Sequence, residues 1–255
     1  MKKIAFVLLL AVCCNQAFAQ DDLFGTKKRE AKKGFVISAN ASFDMPVADM
    51  AKRFGVSYRI GPSVFYKTQK NWIFAVKGDF ILGNQIKEEG FLKGMGDDQN
   101  SYLTFSGLRA DIGTFERGYM IGLQAGKIIN TSTKNPDNGW LLLTSAGFIQ
   151  HKILIQTNKS GYIPQLEGDY RKGYDRLTNG LFVEQFLGYT HFSNNGLINF
   201  NIGLDVVAGF TQGRRDYWFD VQKNGNDSRL DMLIGIRGGW YIPIFKRKSE
   251  EFYFE

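Results

Sequence analysis

Cysteine is almost missing. Cys13 and Cys14 are the only two in the 255 residues, and both lie near the N-terminus. With that region removed on export, the mature chain has no thiol, which excludes a disulfide scaffold, a thiolate metal site and a cysteine nucleophile. Histidine is nearly as scarce, with His151 and His191 alone. Beyond the N-terminus there is no run of about 18 apolar residues, so no transmembrane helix is expected in the body of the chain. One-sided charge is also modest. The net charge of +7 includes Lys2 and Lys3 at the very start. An exported chain of that charge is not expected to bind nucleic acid.

The N-terminus has the order of a secretory signal peptide: Lys2 and Lys3, an apolar run from Ile4 to Val12, then the small-x-small site Ala17-Phe18-Ala19 before Gln20. The apolar run is too short for a helical membrane anchor. Val12 is not the small residue that a lipoprotein cysteine needs before it. The expected organisation is a signal peptide over 1–19, a periplasmic segment over 20–33, an outer-membrane β-barrel over 34–245 and a periplasmic tail over 246–255.

The body of the chain is rich in aromatics, with 22 Phe, and has 29 Gly against only 5 Pro. Such a chain is not disordered. Its apolar residues alternate, as in strands with one greasy face. Between Leu197 and Thr211 the apolar face is Ile198, Phe200, Ile202, Leu204, Val206, Ala208 and Phe210, opposite Asn199, Asn201, Gly203, Asp205 and Gly209. Similar runs occupy Phe35–Phe43, Trp72–Leu82 and Leu230–Ile242. They match the 9–11 residues or so that span a bilayer with tilt, and exceed the usual globular strand. Trp72 and Trp240 fall at strand ends of one interface and Trp140 at the other, like paired aromatic girdles. The fold expected is all-β, a transmembrane antiparallel up-and-down β-barrel.

Nine segments read as strands: 34–43, 55–66, 72–82, 102–112, 118–129, 140–155, 180–192, 197–211 and 229–244. Even parity asks for one more, found at 163–174, giving about ten, with eight as the alternative. In the ten-strand scheme 68–71, 113–117, 157–162 and 193–196 are periplasmic turns. The stretches 44–53, 83–100, 130–139, 175–179 and 212–228 then face outward.

The leader ending Ala-Phe-Ala-Gln, the short barrel, and the closing Gly238-Gly239-Trp240-Tyr241-Ile242-Pro243 followed by Phe245-Lys246-Arg247 resemble the outer-membrane β-barrel domain proteins of Bacteroidetes-type bacteria, the PorT-like broad set among them. The chain departs from many outer-membrane barrels in carrying a tail, Phe245–Glu255, after its last strand. The group includes assembly factors, secretion accessories and barrels without known activity, so the resemblance implies architecture rather than one function.

A function would be written in the lumen. The inward charges expected are Arg59, Lys77, Arg109, Arg171, Arg229 and Arg237 against Asp79, Asp111, Glu167, Asp169, Glu184, Asp205 and Asp231. Their signs nearly cancel, which suits a closed, ion-paired interior; a pore would show one dominant sign. A narrow pore and a binding cavity are the alternatives. His151 and His191 both read as lying toward the periplasm, where they build no Ser–His–acid group at the outer rim. No enzyme, cofactor or metal is expected, and Asp97 and Asp98 read as a solvated loop. The expected role is structural or an interaction, such as an accessory of envelope assembly or secretion, with a small narrow channel as the alternative. Expected partners are outer-membrane lipid and lipopolysaccharide, the barrel-assembly machinery during insertion, and other envelope proteins.

Overall fold

The computed structural model describes residues 31–93, 102–133, 135–157, 163–193 and 198–244. The leader 1–19, most of 20–33, the loop stretch 94–100 with Asp97 and Asp98, and the tail 246–255 lie outside the described residues.

Eight long strands close into an antiparallel barrel. They are β1 (Gly34–Val47), β2 (Ser57–Lys67), β3 (Trp72–Gly83), β4 (Gly113–Asn130), β5 (Gly139–Gln156), β6 (Thr178–Phe192), β7 (Asn199–Gly213) and β8 (Ser228–Ile244). Each pairs with the next, and β8 returns to β1 with Trp240 opposite Ala39. Closure leaves the barrel without an unpaired edge.

The eight-strand alternative therefore holds, and two expected strands do not form. Between Tyr102 and Ile112 only the two-residue pieces Tyr102–Leu103 and Arg109–Ala110 pair. The apolar alternation there is broken by a turn in which Gly107, at φ +77°, donates to the Thr104 carbonyl. The stretch from Ile163 to Tyr174 forms two 3-10 segments, Pro164–Leu166 and Gly168–Gly173. Pro164 lacks a ladder donor, and Gly168 takes a left-handed φ of +52°.

Losing both strands inverts everything between them. Gly113 to Arg117 is not a turn but the start of β4. The end of β4 and the start of β5 lie at the same end as 68–71 and as the junction of β6 with β7, and the end of β5 and the start of β6 lie at the opposite end. The two omissions cancel, so β6 to β8 keep their expected direction. One end of the barrel carries these short turns, the start of β1 and the end of β8; the other carries the long connections. At the turn end Asn71 adopts φ +63°, a conformation asparagine tolerates, while Thr68 holds the turn through its own backbone and hydroxyl. At the loop end sit the helix α1 (Ala48–Arg53), residues 84–93 and 102–112, the 3-10 segments, and a ribbon of Arg215–Trp218 on Lys223–Gly225.

The period of two sorts the side chains. The outward face is apolar and exposed: Leu123 is 70% accessible, Leu204 61%, Val76 57% and Ile60 55%. Trp72, Trp140 and Trp240 all project outward at the turn end, which corrects the expectation that Trp140 marks the other rim. That rim carries Phe43 against Tyr58 at 5.5 Å and Tyr119 near Phe148 at 6.2 Å. There are thus two aromatic bands, one rich in tryptophan and one without it.

Candidate functional site

Inward residues of all eight strands meet in a lumen too narrow to stay empty. Eight strands give a bore that side chains fill, and here they fill it in tiers.

The middle tier is ionic. Arg59 on β2 is its hub. Its Nε and Nη2 donate to the two Asp44 oxygens at 2.8 and 2.9 Å, its Nη1 to Glu184 Oε1 at 2.9 Å, and its Nη2 also to Asp205. Lys77 bonds both Glu184 oxygens, at 2.6 and 2.5 Å, and pairs with Asp79 at 2.8 Å. Arg237 lies over the Phe186 ring at 4.7 Å, with Nη1 3.5 Å from Glu184 and 3.8 Å from Asp205. Gly235 makes the space: a Cβ there would sit 2.2 Å from Asp44 Oδ1. Each strand contributes residues of one parity, so charges remote in sequence converge. Buried charges this dense are tolerated only because they pair.

Toward the loops, Asp231 accepts from Thr211 at 2.5 Å, lies 3.0 Å from His151 Nε2 and contacts Arg229 at 3.2 Å. Glu116 accepts from Ser57 at 2.5 Å. Because β5 runs toward the loops, His151 sits at that end of the lumen, not toward the turns as the sequence suggested. The ring is fully buried edge-on to Phe54, and its Nδ1 has no hydrogen-bond partner among the described residues. An acid–histidine pair is present, with both side chains fully buried. His191 faces outward at the turn end, 3.2 Å from the Asn138 amide.

Above this, an apolar tier joins Met50, Phe54, Leu92, Ile163 and Leu166 of the loops to the inward Ile81, Met120, Ile149 and Phe182. A second polar group covers it. Glu88 bridges Arg53 at 2.8 Å and Arg176 at 3.2 Å, and Arg176 grips Asp220 at 2.7 Å. Trp218 lies beneath both guanidinium groups, at 4.6 Å from Arg176 and 5.6 Å from Arg53. At the other end Tyr241 stacks on Phe192 and meets Phe65 edge-on, each with centroids 5.2 Å apart. Below them Lys67 pairs with Asp137 at 2.6 Å, and Asn71 donates to the Pro136 carbonyl at 2.8 Å. Among the described residues, packed rings and paired charges thus cross the bore toward both ends.

Of the charges expected inside, Arg59, Lys77, Asp79, Glu184, Asp205, Asp231 and Arg237 are brought together there, with Arg229 at the loop-end rim. Arg109 and Asp111 lie instead on the loop before β4, and Glu167, Asp169 and Arg171 on the 3-10 segments, all outside the barrel. Arg171 and Glu167 are 3.7 Å apart. The cause is the loss of the two strands that carried them. Sequence reading missed Asp44 and Glu116, both assigned to connections. Asp44 extends the inward series Ser38, Asn40, Ser42, and Glu116 lies two residues before inward Gly118, so the alternation contained both. Arg53 ends the short helix α1, and Glu88, Arg176 and Asp220 sit in loops, where no periodicity marks them.

The Glu88 group gives a pH prediction. Burial by itself pushes the Glu88 carboxyl up, yet Arg53 and Arg176 outweigh it and hold it below its ordinary value. Its contribution is full above about pH 4.3, the value in an unfolded chain, and is lost as pH falls through the depressed folded value. Pepsin nicking of the loops is therefore expected to rise sharply as pH falls below about 4. Glu88→Gln should already be open to a neutral protease at pH 7. Nicking that is flat with pH, with Glu88→Gln as resistant as the parent, refutes the link.

No protein-family model matches the chain, and no curated protein sequence does. Solved structures with a similar barrel include Neisserial surface protein A, at 11% identity and TM-score 0.47, covering 84% of this chain and 100% of that one. Another is Ail, the attachment invasion locus protein of Yersinia pestis, at 10% identity and TM-score 0.43 in a complex with sucrose octasulfate, covering 82% of this chain and 99% of that one. A third is the N-terminal β-barrel domain of Pseudomonas aeruginosa OprF, at 11% identity and TM-score 0.35, covering 84% and 99%. None of these three links the chain to the Bacteroidetes-type set, for which the sequence pattern alone speaks.

Proposed function

We propose that the protein is an outer-membrane barrel whose body is a sealed anchor and whose loop end is the working surface, with a structural or interaction role. One observation carries this reading: the lumen is closed by tiers of paired charges and packed rings, while the outer wall is a belt of exposed apolar side chains. A wall of that kind is stable against lipid and not against water. The long loops then face outward and the short turns face the periplasm, as such barrels prefer. At the loop end Leu108 and Tyr170 are 68% and 66% exposed, with Tyr217 in the ribbon and Phe219 just after its first strand. These groups suit contact with another envelope protein, and an accessory role in envelope assembly or secretion would be exercised through them. Cross-linking at Leu108 and Tyr170 in intact envelopes is expected to recover a specific companion.

The reading against a channel is tested by planar-bilayer recording of refolded protein. No stepwise conductance is expected. Reproducible single-channel steps from a folded, heat-modifiable barrel would replace the sealed anchor with the narrow-channel reading.

A further inference from the structure

The outer wall is almost free of charge, and its exceptions follow a rule. Among the described barrel strands, the outward positions carry only three charges, Arg117, Lys127 and Lys152, all positive. Arg117 and Lys127 share β4, about 33 Å apart along an extended strand. At a barrel's usual tilt that is about 25 Å along the membrane normal, the height of a lipid-facing belt. Between them the outward residues are Tyr119, Ile121, Leu123 and Ala125. Lys127 lies over the Trp72 ring at 5.3 Å at the turn end. Arg117 stands at the loop-end edge.

There Arg117 is directly opposite Lys152 on β5. Like charges facing each other across a ladder are destabilising, and among the described residues neither makes an ion-pair contact with a carboxylate; the buried Glu116 carboxyl feels Arg117 only through space. Arg117 donates to the Glu116 and Gly83 carbonyls, at 2.6 and 3.4 Å, and lies 5.0 Å from the Phe115 ring. The polar edge continues over two more strands. Gln150 on β5 is opposite Asn179 on β6, and Asn179 opposite Gln212 on β7. Arg214, just past β7, donates to Asn179 Oδ1 at 2.5 Å and to Gln212 at 3.4 Å. Among the described residues Arg214 too donates only to neutral side chains. Below this strip the wall is apolar, with Tyr119 and Phe148 in contact and Ile121 and Leu181 exposed at 57% and 68%.

We propose that Arg117, Lys152 and Arg214 form a docking strip for a phosphorylated glycolipid of the outer leaflet. Its phosphates sit on the three cations, its sugar hydroxyls meet the amides of Gln150 and Asn179, and its acyl chains run down the apolar wall. This deepens the outer-membrane reading and rests on it. Three observations argue for that occupant. Cations in no ion-pair contact among the described residues leave their outward faces open to an anion. Their height at the belt edge puts that anion at the headgroup level. The apolar surface directly beneath calls for hydrocarbon on the same molecule. A soluble phosphate meets only the first.

The test is native mass spectrometry and lipid competition on the full-length mature protein refolded in neutral detergent. Bisphosphorylated lipid A is compared with lipid A stripped of both phosphates and with phosphatidylglycerol. Retention of the bisphosphorylated form is expected to exceed both others by about tenfold or more, since each cation near an anionic lipid surface contributes several-fold. The triple variant Arg117→Gln, Lys152→Gln, Arg214→Gln should lose that preference, and Lys127→Gln at the opposite end should keep it. Heat-shifted gel mobility checks that each variant is folded. The wild-type comparison needs no variant, and equal retention of the three lipids overturns the strip by itself. So does a folded triple variant with the preference intact. Insertion of wild type into phosphatidylcholine vesicles separates the two levels: if it inserts while lipids bind equally, only the strip is lost. If it does not insert, the outer-membrane reading fails and the strip with it.

Discussion

Replacing Arg59 with methionine is expected to cost ~3–5 kcal/mol of folding stability, the usual loss when one partner of a buried ion pair is removed. Arg59 is 2% exposed and contacts Asp44, Glu184 and Asp205. Without it Asp44 keeps only the Ser42 hydroxyl, and Asp205 keeps a 3.8 Å contact with Arg237. Neutralising Asp205 at the same time removes one stranded charge. The double variant Arg59→Met, Asp205→Asn should therefore cost less than the sum of the singles. A pairing of Asp205 with Arg237 also follows from sequence spacing. In the barrel Arg237 is opposite Gly203 and Asp205 opposite Gly235, two residues out of register. Coupling of Asp205 to Arg237 should accordingly be weaker than its coupling to Arg59. Urea titration of refolding into detergent or vesicles measures all three terms. Additive losses, or an Arg59 loss under ~1 kcal/mol, would show that solvent reaches the cluster and screens it.

The alternation made most of this legible. On β7 and β8 nearly every inward and outward position follows from a period of two, including Asp205, Asp231 and Arg237, because each strand separates lipid-facing from lumen-facing groups. The failures occurred where alternation is weak evidence. Tyr102–Ile112 and Ile163–Tyr174 alternate over a few residues, but each contains a glycine at positive φ, and the second contains Pro164 as well. Parity then favoured the wrong count, since adding two strands leaves an even number. That one error displaced Arg109, Asp111, Glu167, Asp169 and Arg171 from the lumen, turned β4 and β5 over, and sent Trp140 to the wrong rim. Which carboxylate meets Arg59 was not legible. It depends on how far the ring of strands is staggered, and pairwise registers accumulate around eight strands to bring β2 beside β6 and β7 across the bore. The loop-end group of Arg53, Glu88, Arg176 and Asp220 had no signal of its own, because loop residues converge by tertiary packing rather than by period.

Substituting Leu204 with arginine is expected to impair insertion by ~2–4 kcal/mol, the loss for a cation at the middle of the lipid-facing belt. Leu204 points outward near the centre of β7 and is 61% exposed, with Ile202 and Val206 on either side of it along the same face. No outward carboxylate of β6 or β8 is near enough to compensate, since their outward faces carry no charge among the described residues. Gln212→Arg is the matched control. It lies on the same strand and the same face, but at the loop-end edge where Arg214 already stands, and the expected cost there is ~0–1 kcal/mol. The difference between the two, more than either value alone, measures depth. Inward Asn201 is no milder a site for arginine. It is 3% exposed in a filled lumen, with its amide close to where a Cβ on Gly239 would be, so extra volume there forces the packing apart. The measurement is equilibrium folding into phosphatidylcholine vesicles, read by heat-shifted gel mobility. In a water-exposed barrel, Leu204→Arg would stabilise or leave folding unchanged, because it replaces exposed hydrocarbon with a solvated cation. Equal behaviour of Leu204→Arg and Gln212→Arg would thus remove the membrane from the account of this fold, and a graded loss from edge to centre would place the bilayer across the middle of the outward face.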